Sequence, residues 1–91
     1  MLDSESFKRL REQLAQNLLM FLRADLDLGF TLSALAKTEL WMRDLDGFNQ
    51  AKDKAGAVVT TAEHFKTRLL EENKSEIEGR LAELKRLISA L

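Results

Sequence analysis

Ninety-one residues with 45% hydrophobic and 32% charged side chains, no proline and no cysteine bound the chain to one small globular domain, residues 1–91. The 14 basic and 15 acidic residues nearly cancel to a net charge of −1 and are spread through both halves, so no basic patch exists to hold nucleic acid. Without cysteine there are no disulfides, thiol chemistry or cysteine-based zinc sites; no apolar run suits a membrane span or signal-peptide core, so a cytoplasmic setting is expected.

Ser4 or Ser6 caps a first helix, and Asp3 and Glu5 favour its positive end. Phe7, Leu10, Leu14, Leu18 and Phe21 recur at three and four as one apolar stripe, and Glu5 and Arg9 form an i,i+4 pair in the favourable order. Between Ala24 and Gly29 only a tolerated glycine interrupts the pattern. Two readings follow: a kink that separates two helices, or one helix from about Ser4 to Leu45.

From Leu28 to Leu45 the helical period separates two apolar stripes. Leu28, Leu32, Leu35 and Met42 form one, and Phe30, Ala34, Trp41 and Leu45 lie roughly opposite. A helix that is greasy on opposing sides is expected to be sandwiched, with cover on each. Glu39 falls inside the first stripe, where it should pair with Arg43 one turn later or reach the edge of the contact. Gly47 reads as the helix end because it takes positive φ without steric penalty. Phe48, Ala51, Ala55, Val58, Ala62, Phe65 and Leu69 then continue at three and four as a second helix. Its small residues Ala51, Ala55 and Ala62 allow close approach of an antiparallel neighbour.

The segment Asp46-Gly47-Phe48-Asn49-Gln50-Ala51, followed by Ala55 and Val58, resembles the turn and second helix of a tetratricopeptide repeat. The likeness covers residues 32–65, about one repeat length. It implies an antiparallel helical hairpin and a general role in binding proteins.

Toward the C-terminus, Ser75-Glu76-Ile77-Glu78 is a capping-box pattern ahead of Leu81, Leu84, Leu87, Ile88 and Leu91, which places a helix break at Asn73-Lys74. The alternative is one helix from Phe48 to Leu91. The protein is then a long two-helix hairpin that buries its faces by joining another hairpin in a four-helix dimer.

Chemistry-bearing constellations are missing from the sequence. His64 is the single histidine, and Glu63 beside it lies about 100° round the helix, so the Glu-x-x-His spacing of metal-binding bundles is lacking. Asp44, Asp46, Gly47 and Asp53 echo a calcium loop, but Met42 takes its first position and an aspartate replaces the bidentate glutamate at its last. The glycines are isolated, so no phosphate-binding loop forms. Ser33, Thr60, Thr61 and Ser75 lack a nucleophile-elbow pattern. The expected protein is therefore all-α, with three to four helices in a bundle built on a central hairpin. It is non-enzymatic, takes no cofactor, metal or small molecule, engages neither nucleic acid nor membrane, and binds a protein partner or a second copy as a homodimer. Phe30, Trp41 and Leu45 are the candidate partner-interface residues, since aromatic side chains often anchor such contacts.

Overall fold

The structure, a computed structural model, describes residues 4–91; the expected contribution of Asp3 to the first helix lies outside them. All regular structure among the described residues is helical: α1 (Ser4–Trp41), α2 (Leu45–Phe65), a 3-10 turn (Lys66–Arg68) and α3 (Glu71–Ser89). No helix among them is long and apolar enough to cross a membrane.

Of the two readings for the N-terminal half, the single helix holds: α1 runs through Gly29 unbroken for 38 residues. Packing explains the glycine. A Cβ there would lie 2.7 Å from Leu84 Cδ2 and 3.0 Å from Val58 Cγ1, so Gly29 is the point where α2 and α3 both close onto α1. The buried residues of α1 are Ala15, Leu19, Leu22, Leu26, Gly29, Ser33 and Ala36, alternating in steps of four and three as in a heptad seam. They shrink from leucine to glycine, serine and alanine toward the hairpin, where α2 contributes Ala51, Ala55 and Val58 to the buried interior. Small side chains on both helices let their axes approach closely, as the alanine spacing predicts.

The expected sandwich is corrected within one chain. Leu28, Leu35, Trp41, Met42 and Leu45 are exposed, and Leu32 and Phe30 are half-buried. The line that is buried carries the smallest residues of the segment. Close helix contact selects small side chains, whereas the bulk of the apolar residues lies elsewhere on the cylinder.

The turn differs from its expected form as well. Gly47 has no positive φ and sits inside the first turn of α2, whereas Arg43 takes the left-handed conformation at φ 63°. Arg43 N–H donates to the Leu40 carbonyl at 3.0 Å and Asp44 N–H to the Glu39 carbonyl at 2.8 Å, the paired bonds of a Schellman ending. Asp44 then caps α2, its carboxylate accepting the Gly47 N–H at 3.0 Å. A Cβ at Gly47 would lie 2.8 Å from Asp44 Oδ2 and 2.9 Å from Glu39 Cδ, so a larger residue there displaces the two carboxylates.

The second break falls at Lys66–Leu70, upstream of Asn73-Lys74. Leu69 and Leu70 are extended, α3 begins at Glu71, and Ser75 lies inside the helix instead of capping it. Leu69 is buried, so the turn is held by its own apolar anchor, and Glu71 and Glu72 favour the positive end of α3. The long two-helix hairpin is thus not the fold. α3 folds back antiparallel to α2 and runs parallel to α1: Glu76 meets Arg23, Arg80 meets Asp27, and Lys85 meets Glu63. Leu19, Leu22, Leu26, Val58, Ala62, Leu69, Ile77, Leu81 and Leu84 form the core of this three-helix bundle. The molecule is 59 Å long, about the length of α1 itself at 1.5 Å per residue.

Candidate association surface

With one side of α1 committed to the core, its other side carries a second apolar line. Phe7, Leu14, Phe21, Leu28 and Leu35 recur every seven residues, Met42 continues the series into the turn, and all six are exposed. Leu10, Asn17, Ala24, Thr31 and Thr38, three residues after each member, are exposed beside them. Steps of three and four repeated over this length make a second heptad seam, with nothing of the same chain over it.

The three sequence-predicted interface residues do not sit together. Trp41 is 85% exposed and Leu45 is 62% exposed; with exposed Met42 they place three large apolar side chains at the hairpin tip. Phe30 lies further back on the flank facing α3, packed against the core, with the Arg80 guanidinium 5.5 Å above its ring. It forms one wall of a groove of about 350 Å³ between α1 and the end of α3, with Ser33, Lys37, Leu40 and Leu87 among the other residues lining it. Ser33 is 4% exposed and its hydroxyl has no hydrogen-bond partner. The seven-residue series is present in the sequence, but three- and four-residue stripes divide it between two helical segments.

Charged groups frame the bundle and leave the seam clear. Arg23 makes a two-pronged contact with Glu76, Nε–Oε2 at 2.7 Å and Nη2–Oε1 at 2.6 Å. That hydrogen bonding holds the Glu76 carboxyl below the usual glutamate range. Arg80 reaches Asp27 and, at 3.4 Å, the Arg23 carbonyl. Glu63 binds Lys66 at 2.8 Å and also Lys85; hydrogen bonds from the two ammonium groups, Lys66 foremost, depress its pKa. At the tip Glu39 faces Asp44 in place of the expected Arg43. Their shared hydrogen bond raises Glu39, while the Gly47 N–H, and then Glu39, lower Asp44. His64 is exposed, its ring edge-on to Phe65 at a centroid distance of 4.7 Å. Among the described residues no group of acidic or histidine side chains is arranged to hold a metal ion. The arrangement suits adhesion between helices. Comparison with family models, with curated proteins and with solved structures finds no match for this chain.

Proposed function

We propose that this chain is a non-enzymatic helical interaction module whose working surface is the outer seam of α1. The observation that carries the reading is the series Phe7, Leu14, Phe21, Leu28 and Leu35, exposed at a strict seven-residue period while the same helix already buries a separate seam. Nine large apolar side chains on this face and the adjoining tip, of roughly 200 Å² each and about half exposed, leave on the order of 1,000 Å² in water, beyond the roughly 300–600 Å² of a typical largest monomer patch. The tetratricopeptide-like character of residues 32–65 belongs to the same proposal, since helical hairpins of that kind serve protein binding.

The test is a double substitution in the seam, Phe21→Gln with Leu28→Gln. Both residues are about half exposed, so the bundle keeps its helicity and cooperative melting. Concentration-dependent assembly, read by sedimentation, weakens about tenfold or more, because two interface side chains worth roughly 1 kcal/mol each are lost. A parent chain that remains monomeric from micromolar to millimolar concentration overturns the reading.

A further inference from the structure

Resting on that reading, we infer that the occupant of the α1 seam is a second copy of this chain, paired antiparallel about a two-fold axis level with Leu26. Side-chain size along the seam carries the argument. The seven-residue series is uniformly large, whereas the residues three further on, Asn17, Ala24, Thr31 and Thr38, are small or polar. Parallel pairing sets like against like. Phe21 then meets Phe21 of the other copy in one layer and Ala24 meets Ala24 in the next, so crowded layers alternate with hollow ones.

Antiparallel pairing about Leu26 puts one large and one small residue in each layer. Leu14 falls opposite Thr38, Leu35 opposite Asn17, Phe21 opposite Thr31, and Leu28 opposite Ala24, and the two-fold repeats each contact. The ends match too. Phe7 and Leu10, exposed at the start of α1, come level with the other copy's tip residues Trp41, Met42 and Leu45. On one flank Arg11 lies beside Glu39 of the second copy and Leu18 beside Leu32. The same flank brings Asp25 near its own copy at the axis, whereas Asp27 on the opposite flank is already paired with Arg80. The exposed apolar area estimated above exceeds the roughly 800 Å² per partner of a standard stable interface.

The chain has no cysteine, so one introduced at exposed Arg9, paired with Glu5 at 3.5 Å, takes a nitroxide label uniquely. Antiparallel pairing places the two labels about 50 Å apart by helical rise, parallel pairing within roughly 20 Å by helix spacing. A dipolar distance near 50 Å is expected, together with several-fold tighter association for Asp25→Asn, which loses a like-charge contact at the axis. In a parallel dimer Asp25 lies beside Met20, and the same substitution leaves association unchanged. A dimer with the short distance, or one indifferent to Asp25→Asn, overturns the inference and leaves the association surface standing. A folded monomer overturns both.

Discussion

At Gly29 one missing methyl group decides how three helices meet. Any side chain there drives into Leu84 and Val58, so Gly29→Ala is expected to destabilise the fold by about 1–2 kcal/mol, overpacking outweighing the helix-propensity gain. Gly79 is the control. Nothing lies within 4 Å of the point a methyl group would occupy there, and Gly79→Ala is expected to stabilise α3 by up to about 1 kcal/mol. Urea unfolding of the two variants should move in opposite directions. Ser33→Ala belongs with the gains: it removes a buried hydroxyl that bonds to nothing and adds a better helix former, for about 1 kcal/mol. A glycine inside an apolar periodicity is ambiguous on paper, since a kink and a close contact both use it. Its neighbours across the bundle, far away in sequence, resolve it.

At the scale of elements, what was legible is what local chemistry determines. The α2 stripe with Ala51, Ala55 and Ala62 follows from spacing alone, but the helix expected over Phe48 to Leu69 is observed as Leu45–Phe65, with Leu69 in the extended break beyond it. The turn did not follow, because a glycine downstream offered the usual left-handed ending while Arg43 took it at a steric cost. Arg43→Gly is accordingly expected to stabilise the hairpin by about 1 kcal/mol, read as a higher melting temperature. Ser75-Glu76-Ile77-Glu78 misled for the opposite reason: a capping pattern occurred inside a helix, and the true break at Leu69–Leu70 has no side-chain cap. Two depressed carboxylates lie where α3 returns along the bundle, Glu76 under Arg23 and Glu63 under Lys66 and Lys85. A glutamate whose folded pKa lies below its unfolded value stabilises the fold above the unfolded value, near pH 4.3, and loses that contribution as pH falls through the folded one. Glu39 has the opposite sign, its raised pKa favouring the fold on protonation. Glu76→Gln is therefore expected to flatten the acid limb of a stability-against-pH curve, and Glu39→Gln to steepen it.

For the whole molecule, the seam and the core compete for the same helix, and the core takes the smaller residues. Apolar size alone therefore points to the wrong faces of α1 as the interior. Their exposure in a single chain is what the proposed association would cover. Trp41 separates the two roles most cleanly because it is 85% exposed and contributes little to the fold of its own chain. Trp41→Ala should leave the melting of the dilute monomer nearly unchanged. If the tip is part of the interface, the same substitution weakens self-association about 30-fold, the loss of a roughly 2 kcal/mol aromatic anchor, while Trp41→Phe retains most of it. Sedimentation and thermal melting on the three proteins distinguish the cases: a fall in melting temperature with unchanged association would assign the indole to the fold, and the reverse assigns it to the partner.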